Sequence, residues 1–316
     1  MHRGGTSVAT RGLAALGVSL GERLMPAHAI NAKGFFEDLD IYELDEALLA
    51  AIGDTWHGFL PIEAEMFAAP ALRDWHERAV AMLRVKLASA PVFGIKDPRL
   101  PRLLPFWLAA ARAVEAEVSA LIVLRHPGAV AASLEKVAGF RAEKSQLLWL
   151  QAMLAAEAGT RGMRRVVVDY ETMLAAPAAQ LRRIAAALGL AADEAAIGDY
   201  VSFLDPALRH FEADTGDVTA AMPAEAGAMF ALLAALARDE AVPAVAFDAL
   251  AARQEALRPV LAWMRFADTT ITQLQAEQGR LGAELAAAKT RVAGLEASRS
   301  WRLTAPLRAL GRLLGR

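Results

Sequence analysis

Three short apolar runs punctuate the first two thirds of the chain: VFGIK at Val92 to Lys96, ALIVLR at Ala120 to Arg125, and RVVVDY at Arg165 to Tyr170. Each is β-branched or apolar without polar alternation and is bounded by turn or charged residues, which predicts strands buried on both faces in a parallel sheet. Helical periodicity fills the intervals, over Leu103 to Val118 and Val130 to Phe140, and this alternation of strand and helix specifies an α/β fold. In ETMLAAPAAQLRRIAAALGL, Leu174, Leu181, Ile184 and Leu188 lie on one helical face, and Gly189 supplies the stop.

The pattern changes beyond Asp214. Residues 214–223 mix Gly, Thr, Asp and Pro as a linker does, and a helical region follows to about Phe266. From Ile271 a heptad repeat begins: Ile271, Gln278, Leu285 and Val292 share one position, and Leu274, Leu281, Ala288 and Leu295 the other. This predicts a coiled coil over 271–295, a possible homo-oligomer contact, with a solvated single helix as the alternative. The final stretch carries Arg299, Arg302, Arg308, Arg312 and Arg316 among Trp301 and five leucines, with no acid. A basic amphipathic tail over 299–316 suits an anionic membrane surface or a partner protein. The expected organisation is therefore a catalytic-type domain at 1–213, a helical extension at 214–266, a coiled coil at 267–298 and the tail at 299–316.

Composition narrows the class. Of 316 residues, 55% are hydrophobic, much of that alanine, which favours a helix-rich chain. No stretch has the length and apolarity of a membrane span, and no export signal is evident, so a cytoplasmic protein, peripheral at most to the inner membrane, is expected. Zero cysteines exclude disulfides, thiolate metal sites and a cysteine nucleophile. A net charge of -2 argues against a nucleic-acid binder, so an anion site must be built locally. The six histidines show no metal-ligand spacing, and no metal is expected.

Three stretches carry candidate anion chemistry. HRGGTS, at His2 to Ser7, offers a cation in Arg3, close backbone approach at Gly4 and Gly5, and hydroxyls in Thr6 and Ser7, and it leads into a helical pattern. It lacks the GK[ST] ending of an ATP-binding loop. In LIVLRHPGAVAASL a strand ends at Arg125, and Ser133, eight residues later, lies about one turn into the next helix. A strand-end guanidinium and a helical hydroxyl can converge there on one anion. FGIKDPRL places Lys96, Asp97 and Arg99 just past another strand, at the same sheet edge.

Together these residues resemble the bacterial type of sulfotransferase that uses 3′-phosphoadenosine 5′-phosphosulfate (PAPS). The family's 5′-phosphosulfate loop, approximately HRSGTS, is matched by His2 to Ser7, and its 3′-phosphate pair by Arg125 and Ser133. NAKGFFEDLDIYELDEALL, KDPRL and VDYETMLAAPAAQL extend the resemblance over about 1–211. The resemblance implies a P-loop-like three-layer fold, a parallel sheet with helices on both faces, and sulfuryl transfer from PAPS to a hydroxyl or amine, with PAP as product and no metal. It implies that Arg3 and the loop through Gly4, Gly5, Thr6 and Ser7 hold the 5′-phosphosulfate, and that Arg125 and Ser133 hold the 3′-phosphate. Glu37 becomes the first candidate for the base, Lys96 for stabilising transferring oxygens, and Arg99 and Arg209 for orienting substrate or donor. Arg209 and its neighbour His210 read equally as a helix-end surface pair.

The loop departs from the family at Gly4, where a serine is usual, and no strand precedes it in the sequence; a start placed inside a longer reading frame is the favoured expectation, a truncated chain the other. The C-terminal S-x-SWR-x-T-x-PLR pattern is similar to tails on bacterial enzymes of cell-surface polysaccharide assembly, which makes a carbohydrate or lipid-linked glycan the expected acceptor. The alternatives are a P-loop kinase-like phosphotransferase and a non-enzymatic coiled-coil scaffold.

Overall fold

The computed structural model describes residues 2–28, 34–204 and 222–313, with side chains through residue 310. The chain is mostly helical. Ahead of the sheet come α1 (Thr6–Ala15), α2 (Leu39–Ala51), α3 (Ala64–Phe67), α4 (Arg73–Ser89) and α5 (Leu100–Ala113). Two parallel strands, β1 (Ser119–Leu124) and β2 (Arg164–Asp169), pair in register from Ser119 opposite Arg164 to Leu124 opposite Asp169. They are joined by the crossover helices α6 (Pro127–Ala138) and α7 (Ala142–Thr160). After β2 come α8 (Tyr170–Ala175), α9 (Pro177–Leu188), α10 (Glu194–Phe203), α11 (Ala224–Ala237) and α12 (Ala244–Ala256).

Strand alternation sends side chains to two cores. Ile122, Leu124 and Val167 pack with Val130, Leu134 and Trp149 from α6 and α7, and with Met229 and Leu233 of α11. Val166 and Val168 face the other way, against Leu16, Met173, Leu181, Ile184 and Tyr200. The sheet is therefore covered by helices on both faces, which is why neither strand alternates apolar with polar residues. A third core joins α2, α4 and α5 through Leu44, Leu48, Leu83, Phe106 and Trp107. Gly189 ends α9 with φ 70°, as expected, but the single helix expected from Glu171 to that stop is divided: Asp169 caps α8 by accepting from Thr172 N at 2.9 Å, and Ala176, ahead of Pro177, leaves the helical region before α9 begins.

Two expectations are corrected. Val92 to Lys96 does not form a strand of the sheet: it makes a single parallel bridge, Ser19 to Phe93, with Ser19 N donating to Val92 O at 3.0 Å and Gly94 N to Ser19 O at 2.8 Å. A cavity of about 720 Å³ separates this segment from β1, lined by Val18, Leu20, Ile95, Trp107, Leu121 and Trp149 among others, so the segment has no ladder to join. The division expected at 213/214 falls instead at 258/259, between compact units 1–258 and 259–316. The reason is packing: α11 and α12 bury Ala226, Met229, Leu233, Phe247 and Leu250 in the core of the sheet's first face.

The second unit is helical. Helix α13 (Arg258–Ala297) runs into α14 (Arg299–Leu303) and α15 (Ala305–Leu313). Ser298 caps α14, its Oγ accepting from Trp301 N at 3.2 Å, and the Arg308 guanidinium stacks 3.8 Å from the Trp301 ring centroid. Among the described residues no helix is long and apolar enough to cross a membrane.

Candidate functional site

The glycine loop runs from His2 into the first turn of α1. Its backbone is held in the left-handed region at Arg3 (φ 61°) and at Gly5 (φ 77°), a conformation costly for any residue but glycine. Gly5 is required for a second reason. The Tyr170 ring lies directly against it, so that a Cβ there would sit 2.2 Å from Tyr170 Cδ2. Gly4 is buried.

β1 and α6 deliver the partners. Arg125 immediately follows β1, and Trp149 Nε1 donates to its carbonyl at 3.1 Å. The Arg125 guanidinium lies 4.8 Å from the Tyr170 ring centroid, and its Nη1 donates to the Arg3 carbonyl at 2.9 Å. Arg3 Nε donates to Ser133 Oγ at 2.8 Å, a contact across 130 residues of sequence. Two guanidiniums and a hydroxyl thus meet at the glycine loop. Burial, and then the proximity of Arg125, lowers the proton affinity of Arg3. Arg125 Nε is buried with no hydrogen-bond partner among the described residues. An anion placed here could accept from the buried Arg125 Nε.

A second cluster adjoins the first. Lys96 Nζ donates to the Phe35 carbonyl at 2.9 Å and forms an ion pair with Glu37. Ser7 Oγ donates to that same Phe35 carbonyl at 3.4 Å, linking the glycine loop to the acid and lysine. Glu37 is buried; its burial raises its proton affinity against the opposing pull of Lys96. A carboxylate so placed is a stronger proton acceptor than an exposed one. His2 packs edge-on at 4.3 Å to Trp56, and its pKa is lowered to about 2 by burial, by the N-terminal charge and by Arg99, Lys96 and Arg3, so its ring is neutral.

Of the residues singled out in the sequence, Arg3, Gly4, Gly5, Thr6, Ser7, Arg125 and Ser133 come together, with Glu37 and Lys96 adjoining. Arg99 acts electrostatically on His2 and Glu37 but is buried among other partners: its Nη1 donates to both Asp97 oxygens at 3.1 Å, it is paired to Glu46, and its guanidinium lies 4.7 Å from the Tyr42 ring centroid. Its charge is committed to that network, which fits a positioning role behind Lys96 rather than ligand contact. Arg209 and residues 29–33, where the N-x-x-G segment begins, lie outside the described residues, as does 214–221 of the linker. Sequence reasoning missed Tyr170, whose ring lies against both Gly5 and the Arg125 guanidinium. It also missed the aromatic wall made by Trp56 and Phe140, stacked at 5.4 Å and 19°, with Lys144 4.4 Å from the Phe140 centroid. Compared with protein families, characterised proteins and solved structures, the chain matches none.

Proposed function

We propose that this chain is a PAPS-dependent sulfotransferase acting on a hydroxyl, or an amine, of a carbohydrate or lipid-linked glycan. The observation that carries the reading is the meeting of Arg3 with Arg125 and Ser133 at the glycine loop, residues from two distant stretches of the sequence joined in one hydrogen-bonded cluster. The residues fit the donor: the glycine backbone can approach a phosphate, and the orphaned Arg125 Nε is a donor in need of an acceptor. Arg125 and Ser133 hold the 3′-phosphate, while Arg3 and the N–H groups of Gly4 to Ser7 hold the 5′ side. When bound, PAPS supplies a sulfuryl group activated by its anhydride link to phosphate.

The remaining work belongs to the chain. Glu37 takes the proton of the acceptor hydroxyl on its carboxylate. Lys96, paired to Glu37 before the acceptor arrives, turns its charge toward the transferring oxygens, and Arg3 offsets charge on the departing phosphate; positioning and charge stabilisation dominate such displacements. Arg99 fixes Asp97, the residue after Lys96, and so holds the turn.

The finer fold reading is a P-loop-like sheet. Its support is the largely apolar cavity between residues 92–97 and β1, lined also by Gly4, Thr6 and Thr10, beside which β1 could pair with a further parallel strand. The arginine-rich tail, with Leu303, Leu307 and Leu310 exposed, would hold the enzyme at an anionic membrane surface beside such acceptors.

The reading is tested by transfer of labelled sulfuryl from PAPS to oligosaccharide acceptors. Transfer that is lost in Arg3→Met and Arg125→Met is expected; labelling from ATP with none from PAPS would overturn it in favour of a phosphotransferase.

A further inference from the structure

We infer that residues 260–295 of α13 form the interface of a parallel, in-register dimer with a second copy of this chain. The heptad stripe evident from Ile271 extends back through Met264 and Val260, so it covers 36 consecutive residues, about 54 Å of helix. Its eight large aliphatic side chains keep between 46 and 64% of their surface exposed. An aligned apolar seam of that length in water marks an interface.

Charge selects the partner and its direction. In a parallel coiled coil the g position of one helix faces the following e position of the other. Here Glu284 meets Lys289 of the partner subunit, and Arg291 meets Glu296 of the partner subunit; both pairs occur twice by symmetry and both are attractive. An antiparallel pair sets g against g: centred on 271–295 it forms two Glu277–Arg291 pairs but brings Glu284 against its own copy and leaves Lys289 and Glu296 without an opposite charge, so the parallel arrangement has four attractive pairs against two attractive and one repulsive. Gln278 points the same way. It is the one long polar residue in the seam, at an a position, and only the parallel in-register arrangement lets the two amides hydrogen-bond to each other rather than lie against aliphatic side chains. A membrane surface is a poorer occupant for this stripe, because 260–297 carries four Arg or Lys and four Asp or Glu, so an anionic bilayer gains nothing from it. The arrangement also sends both copies of the basic tail from the same end, giving a two-point contact with whatever the tail binds. The inference is independent of the sulfuryl-transfer reading.

The chain contains no cysteine, so a single introduced thiol reports on geometry without interference. In full-length protein, Gln278→Cys is expected to form a disulfide-linked dimer nearly completely under mild oxidation, while Ala283→Cys, on the outer f position, is not. Sedimentation should give twice the 33.7 kDa chain mass for the unsubstituted protein. Glu284→Lys should weaken association on the order of tenfold, and Glu284→Lys combined with Lys289→Glu should restore it. A monomer at all accessible concentrations would overturn the inference. So would an oligomer indifferent to Leu274→Glu with Leu285→Glu, or a charge swap without rescue.

Discussion

A single methyl group placed on Gly5 should damage both the stability of the fold and the anion site. In Gly5→Ala the new Cβ would meet Tyr170 Cδ2 at 2.2 Å and two further ring carbons at 2.8 Å, well inside the roughly 3.5–4.0 Å of relaxed carbon contact. The backbone there has φ 77°, where a residue other than glycine costs about 1–2 kcal/mol. Overpacking against a ring buried among neighbours adds about 1–3 kcal/mol. The sum is about 2–5 kcal/mol. Gly17→Ala provides the comparison, because Gly17 also has positive φ (82°) but nothing within 4 Å of its Cβ, so only the backbone cost of about 1–2 kcal/mol applies. Denaturant unfolding of the two variants isolates the Tyr170 clash, and PAP titration reads its consequence: a displaced Tyr170 ring moves Arg125, and Arg125 holds the Arg3 carbonyl. If Gly5→Ala were no more destabilising than Gly17→Ala, with PAP affinity unchanged, Tyr170 would not be the platform of the loop.

Three further predictions follow from other parts of the structure. Asp45 is fully buried, accepts from Trp107 Nε1 at 2.9 Å and has its pKa raised well above the ordinary 3.8, first by burial and then by Asp97. A raised folded-state pKa means stability fully present below the ordinary value and lost as pH rises through the folded one, so Asp45→Asn should flatten that loss with rising pH in pH-dependent unfolding; an unaltered slope would assign the loss elsewhere. Glu37→Gln should lower turnover about 100- to 10,000-fold with PAP affinity within a few-fold of normal, and equal turnover would remove Glu37 from the base role. Appending a short valine- and isoleucine-rich segment ahead of Met1 should raise the denaturation midpoint by filling the apolar cavity beside β1, whereas a lysine-rich segment of equal length should not; equal effects of the two would rule out strand addition there.

The features legible in the sequence are those whose cause is local. β1, β2 and the Gly189 helix stop are fixed by short runs and one glycine, and Arg125 and Ser133 are brought together by the strand end and helix start on either side of Pro127. Val92 to Lys96 has an equally strand-like composition, but a strand needs an edge to pair with, and that edge is a property of the whole sheet. The packing of α11 and α12 was hidden by the Gly, Thr, Asp and Pro preceding them, which mark a turn whether the next helices dock or extend. Tyr170 escaped notice because its contact with Gly5 depends on how β2 and α1 meet; Arg99 was singled out, but its pairing was not legible, because a charged turn reads alike whether its guanidinium faces solvent or is buried on Asp97.

Calorimetric titration of the full chain with PAP and with AMP, which differ only in the 3′-phosphate, tests the central claim most directly. Charge-assisted hydrogen bonds to the 3′-phosphate from Arg125 and from the Ser133 hydroxyl, each worth about 1.5–3 kcal/mol, should together make PAP bind about a hundred- to ten-thousand-fold more tightly than AMP. In Arg125→Met that ratio should fall about ten- to a hundredfold. Equal affinities for PAP and AMP in the unaltered protein, or a preference for PAP undiminished in Arg125→Met, would contradict the assignment of this site.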